Sequence, residues 1–268
     1  MHPRVSLSEL CSWNWTLDED LAFYEQAGIT TIGASLVKLE AAGWKQAAYR
    51  VRDTGLRVAN LIGVGPFRLA DRARWDEQRD RVRRALAIAE IVDAECLVLT
   101  TGPAGALTWE QAADEYEEAM DPILAEAKRT GVAIAVEHTN SLRVDVGFLH
   151  NLHDAVDLAR RLGVGVCMET NACWAERNLA ETIAAGVDTF RLVQVSDFAV
   201  GTLSTPNRLV PGDGDIPFSR VLGNVLDAGY QGVFDLELIG PKIEEEGYAS
   251  ACRRAVDNLG AMLESLGA

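Results

Sequence analysis

Short apolar runs alternate with longer amphipathic ones along the whole chain. Eight short runs have strand character: Val5–Leu7, Thr31–Ala34, Arg57–Ile62, Cys96–Leu99, Ala133–Glu137, Val164–Met168, Phe190–Val195 and Val233–Leu236. Several are apolar without interruption, as in Val132-Ala-Ile-Ala-Val136. Parallel strands covered on both faces require that pattern. The stretches between them read as helices. Thr16 with Glu19, and Thr108 with Gln111, have the spacing of capping boxes, in which hydroxyl and carboxyl or amide satisfy unpaired N–H groups. Val82, Leu86 and Ala89 share one helical face, with Arg79, Arg83 and Glu90 turned away. Gly28, Gly55, Gly131, Gly163, Gly186 and Gly229 each stand a few residues before a strand. Glycine there is expected to end a helix, because it enters the left-handed conformation without a Cβ clash.

Eight strand–helix units in 268 residues predict an α/β fold, a single-domain (β/α)8 TIM barrel over residues 1–268. A doubly wound open sheet is the rival, and it wants a glycine-rich phosphate loop after its first strand. Ser8-Glu9-Leu10-Cys11-Ser12-Trp13 follows instead. No linker, low-complexity tract or break in composition divides the chain.

A net charge of −15 repels phosphate backbones and anionic lipid, so neither nucleic acid nor a membrane surface is an expected partner. No apolar run reaches the length that spans a bilayer, and the first residues lack the apolar stretch of a signal peptide. Five cysteines without a CxxC pair read as reduced thiols, which places the protein in the cytoplasm. Self-association into a homo-oligomer is compatible with this composition.

In such a barrel chemistry sits where strands end and loops begin. Strand five ends at Glu137 and strand six at Glu169; strand seven carries Gln194 and strand eight ends at Glu237. Each lies one strand–helix repeat from the next. Four neighbouring strands thus aim three carboxylates and one amide at a common point. Buried carboxylates repel one another unless they keep protons or share a cation. Oxygen donors without thiolate favour Mn²⁺ or Mg²⁺, with Co²⁺ also suited.

These residues carry a resemblance to the xylose-isomerase-like barrel superfamily: sugar isomerases and epimerases, inosose dehydratase, hydroxypyruvate isomerase and endonuclease IV. It rests on Val136-Glu137 with Asn140, on Gln194-Val-Ser-Asp197, on Val210-Pro-Gly-Asp-Gly-Asp-Ile-Pro-Phe218, and on Asp235-Leu-Glu237. The resemblance implies one divalent cation held by Glu137, Glu169, Gln194 and Glu237. It also implies Glu137 and Glu237 as an acid/base pair that moves a proton through an enediolate. Glu169 stands where the family usually has Asp, and Gln194 where it usually has His, as in hydroxypyruvate isomerases. Ala172 replaces a substrate-touching His of the epimerases.

The expected function is therefore a metal-dependent isomerase or epimerase of a keto sugar or related hydroxy-carbonyl compound. The same proton abstraction serves a lyase when a leaving group stands beside the carbanion. A barrel that binds a small molecule without turnover is the non-enzymatic alternative. A nuclease with three zinc ions would need more than the four histidines present. Around the proposed centre, Trp13, Trp15, Phe67 and Trp174 are candidates to wall the pocket. Asn140, Cys173 and Asp197 are candidates to touch substrate or its neighbours. Arg208 and Lys242 offer cations to a carboxylate or phosphate. His138 is expected to face the helices as a structural residue, with His150 and His153 near the surface.

Overall fold

Strand β1 (Val5–Ser8) is hydrogen-bonded in parallel to β2 (Thr31–Ser35) on one side and to β8 (Phe234–Leu236) on the other, so the sheet has no edge. Between them run β3 (Arg57–Val64), β4 (Cys96–Thr100), β5 (Ala133–Glu137), β6 (Gly165–Glu169) and β7 (Phe190–Val195), each pairing with its successor. This computed structural model describes residues Met1–Ala268. The helices that follow the strands are α1 (Leu17–Ala27), α2 (Leu36–Ala41), α3 (Trp44–Asp53), α4 (Trp75–Val92), α5 (Trp109–Thr130), α6 (Leu152–Leu162), α7 (Thr170–Cys173), α8 (Leu179–Gly186), α9 (Phe218–Asp227), α10 (Pro241–Glu246) and α11 (Tyr248–Ser265). The closed (β/α)8 barrel expected from the periodicity is the observed fold. All eight strands fall within two residues of their expected bounds.

The main apolar core lies between sheet and helices and includes Leu7, Ile32, Leu61, Val136 and Phe234. A smaller one fills the barrel itself, with Ala59, Val98, Ala135, Cys167 and Leu192. Parallel strands facing an apolar layer on both sides explain the unbroken hydrophobic runs. All five cysteines are buried and free. No helix is long and apolar enough to cross a membrane.

Both capping boxes form, at Thr16 with Glu19 and at Thr108 with Gln111. Gly28, Gly131 and Gly163 end their helices in the left-handed conformation. Gly186 does not: its φ is −108°, and the chain continues into a 3₁₀ turn. The reason for glycine there is proximity. A Cβ at Gly186 would lie 2.5 Å from Cγ2 of Val156 on α6. Gly186→Ala is therefore expected to destabilise the protein by about 1–3 kcal/mol through overpacking; an unchanged thermal midpoint would contradict this contact. At the end of α4 the left-handed cap is Asp93, at φ 53°, in a place where the pattern had no glycine to offer.

Candidate active site

The ladder register sets which side chains point inward. Glu169 lies opposite Gln194, and Gln194 lies opposite Asp235. Side chains alternate along a strand, so Asp235 and Glu237 share one face, as do Cys167 and Glu169. Glu137 closes β5, and Glu237 stands one residue past β8, its N–H still bonded to the Val195 carbonyl. Ligand oxygens of Glu137, Glu169 and Glu237 all lie within 4.8 Å of one another. All three side chains are buried.

One guanidinium enters this cluster. Arg208 Nη2 is 2.7 Å from Glu169 Oε2, and Nη1 is 2.8 Å from Glu237 Oε1. Nη1 also donates to the Glu237 carbonyl at 3.0 Å, and the side chain is 17% exposed. Burial pushes Glu137 well above the usual carboxylate range, with Glu237 and Glu169 adding to the effect and Arg208 opposing it. Burial likewise raises Glu169 to about 7, although Arg208 draws it down. Glu169 Oε1 accepts the Asn171 N–H and so caps the short helix α7. Its other oxygen accepts no well-aligned hydrogen bond and faces the cluster. Glu169 thus combines a helix cap with an oxygen ion-paired to Arg208.

Gln194 lies just beneath, fully buried. Its Nε2 donates to Glu237 Oε2, and its Oε1 accepts the Cys167 thiol at 3.2 Å. The amide thus presents its N–H₂ rather than its oxygen to Glu237. Below it, Ser6 Oγ donates to Asp235 at 2.6 Å, and burial raises Asp235 to about 7. His138 faces outward, as expected. Its Nε2 accepts the Glu169 backbone N–H at 3.1 Å, and burial lowers its pKa to about 3. The neutral ring fixes the backbone from which Glu169 projects.

Above the carboxylates opens a cavity of about 790 Å³. Of the loop residues singled out from the sequence, Trp13, Asn140 and Arg208 line it. Asn140 also closes its own turn, accepting the Leu142 N–H at 2.9 Å. Six other candidates lie elsewhere. Phe67 is buried in the core, edge-on to Tyr116. Cys173 is fully buried, and Trp174 packs against the apolar core beside it. Trp15, too, stacks edge-on with Phe23 and Tyr248. Lys242 is exposed and paired with Glu245 at 2.7 Å.

Asp197 does not line this cavity, and backbone amides consume its carboxylate. It accepts the N–H groups of Phe198, Gly212, Gly214 and Ile216 at 2.8–3.1 Å. Its backbone pairs with Leu209 in both directions. A Cβ at Gly214 would meet Asp197 Oδ1 at 2.5 Å. The Pro211-Gly-Asp-Gly-Asp215 segment is therefore a clamp, and the residue it holds at the mouth is Arg208. Asp197→Asn replaces an acceptor-only group by one that points N–H at N–H. It is expected to cost about 2–4 kcal/mol, since charged hydrogen bonds contribute roughly 1.5–3 each; calorimetry showing no loss would remove the clamp.

Arg81, Arg143 and Thr100 also line the cavity and were not singled out from the sequence. A signal existed for Arg81. It stands in the second turn of α4, and helix N-termini in this fold lie at the end where the strands finish.

The model of the xylose isomerase-like TIM barrel family matches residues 21–258. The chain belongs to that family. Among curated relatives, the inosose isomerase of Halalkalibacterium halodurans is 25% identical over 137 residues. That match spans about half of each protein, 49% of this chain and 48% of the relative. Among solved structures, the protein SMc04130 of Sinorhizobium meliloti 1021 superposes with a TM-score of 0.86 at 23% identity, covering 98% of both chains. The IolI protein, solved with a bound zinc atom, superposes at 0.84 and 15% identity, covering 98% of this chain and 99% of its own. At these identities the structural likeness is one of fold.

Proposed function

We propose that this chain is a divalent-cation-dependent isomerase or epimerase of keto sugars or related hydroxy-carbonyl compounds. The observation that carries the reading is the meeting of three buried carboxylates within 4.8 Å at the floor of a cavity large enough for a sugar. Family membership and the inosose isomerase match support it. The donors fit a hard cation: three buried carboxylates with oxygens within 4.8 Å of one another, and no thiol among the residues that line the cavity. Glu137, Glu169 and Glu237 would hold it, and Gln194 would join as fourth ligand by exchanging the places of its amide oxygen and nitrogen.

Bound there, a divalent cation supplies Lewis-acid stabilisation of an enediolate. The proton is moved by the chain's own groups. Glu137 and Glu237 come from strands three apart in the ring, so they address a bound sugar from different sides. One takes the proton from carbon and the other returns it. Arg208, between Glu169 and Glu237, places positive charge where enediolate oxygens would gather.

The test is deuterium wash-in from D₂O, followed by NMR, over keto sugars and inososes. Exchange is expected with Mn²⁺, Mg²⁺ or Co²⁺, lost on exhaustive chelation and restored by the ion. Exchange that survives chelation would remove the cation from the reading. Formation of an enone or release of an aglycone would replace isomerisation by elimination.

A further inference from the structure

The cavity gathers charges of both signs. The three glutamates stand at the ends of β5, β6 and β8. Two further guanidiniums line the same cavity from different elements: Arg81 from α4 and Arg143 from the loop after β5. In a chain of net charge −15, cations gathered at one cavity are an exception to the surrounding field.

Both keep donors to spare. A guanidinium offers five N–H groups. Arg81 makes one hydrogen bond, Nη2 to the Gly63 carbonyl at 3.3 Å. It lies 3.5 Å from Glu40 Oε2 without hydrogen-bonding it. Arg143 places Nε and Nη2 on Asp145 at 3.0 and 3.1 Å. Asp145 is 66% exposed, so that pair is screened by water and weakly held. Arg208 is engaged by Glu169 and Glu237, whereas Arg81 and Arg143 line the cavity with most of their donors unused.

We propose that the substrate carries an anionic group, a carboxylate or a phosphate, which Arg81 and Arg143 bind while its hydroxy-carbonyl end lies on the glutamates. This rests on the isomerase reading and narrows it to sugar acids or sugar phosphates. Guanidinium forks match either oxyanion with paired N–H groups, whereas a neutral sugar leaves them facing only hydroxyls.

The experiment is calorimetric titration of the Mn²⁺-loaded chain with D-fructose, 5-keto-D-gluconate and D-fructose 6-phosphate. These three share a six-carbon ketose skeleton and differ in charge. At least one anion is expected to bind ten-fold or more tighter than fructose. Whichever anion does so identifies the class. In the Arg81→Gln/Arg143→Gln double variant the ratio of fructose to anion dissociation constants is expected to fall towards one, with the thermal midpoint reporting that the fold persists. Equal affinity for fructose and both anions, absence of binding by all three, or an anion preference that survives in the double variant would each overturn the proposal. Deuterium exchange into the bound anion is followed separately. Arginine-dependent anion preference without exchange upholds the anion site and overturns the isomerase reading.

Discussion

Replacing Glu237 by glutamine is expected to lower deuterium exchange by at least about 10³-fold, since a positioned acid–base group contributes roughly 10²–10⁴ in rate and this residue also serves the cation. The substitution changes almost no volume. The amide oxygen can still accept from Arg208 Nη1, which stands 2.8 Å from the native Oε1. What it loses is basicity, and with it the capacity to take a proton from carbon. The other end of the amide would set its N–H₂ against Gln194 Nε2, which donates to Oε2 in the native protein. Gln194 can answer by turning its own amide, so the thermal midpoint should move by only a few degrees. The decisive measurement is the exchange rate under Mn²⁺ saturation. Retained exchange would take Glu237 out of the reaction, whatever its place in the cluster.

Arg208→Met is expected to have the largest effect on stability. The substitution removes the charge that pairs with both Glu169 and Glu237 and leaves two buried carboxyls without it. Losing one partner of a buried ion pair costs about 3–5 kcal/mol. At roughly 2–4 °C per kcal/mol for a chain of this size, the metal-free midpoint should fall by about 6–20 °C. The pH dependence has a definite sign. Glu169 titrates at about 7 in the folded state with Arg208 present, above the ordinary 4.5. Without the guanidinium it moves higher still. A group whose folded pKa is raised contributes stability fully present below its unfolded pKa, and loses it as pH rises through the folded pKa. The variant should therefore be closest to wild type near pH 5 and furthest from it above pH 8. Mn²⁺ should restore much of the loss by binding the native state alone. A midpoint unchanged at pH 8.5 without metal would show that Arg208 is not the counter-charge of this site.

Arg208 illustrates where reading the sequence stops. As one arginine in a loop it offered a cation to substrate, and nothing in its neighbours said that it would reach back between two glutamates. That placement depends on Asp197, whose carboxylate gathers four amides from residues up to nineteen positions later. It also depends on Gly240, where a Cβ would lie 2.9 Å from the Arg208 nitrogen. Both are contacts between loops, and loop geometry follows from packing rather than from period. The same limit explains Phe67, Cys173, Trp174 and Lys242. Each lies in a segment assigned to the catalytic end, but whether a loop side chain faces the cavity, the core or solvent is set by turns that hydrophobic patterning does not encode. Glu137, Glu169, Gln194 and Glu237 were legible because they sit within one residue of the ends of strands, where alternation of side chains fixes direction.

The chain's own sequence determined the barrel, its eight strands and the helix caps at Thr16 and Thr108, because periodicity, capping and strand burial are local properties that repeat. It also placed three acids and an amide on consecutive strand ends. Tertiary structure alone decided that these acids converge within 4.8 Å, that Arg208 stands among them, and that Arg81 and Arg143 line the same cavity. Closure of the sheet brings together residues a hundred positions apart, and the Coulomb energy of such a meeting depends on distances that no local pattern records.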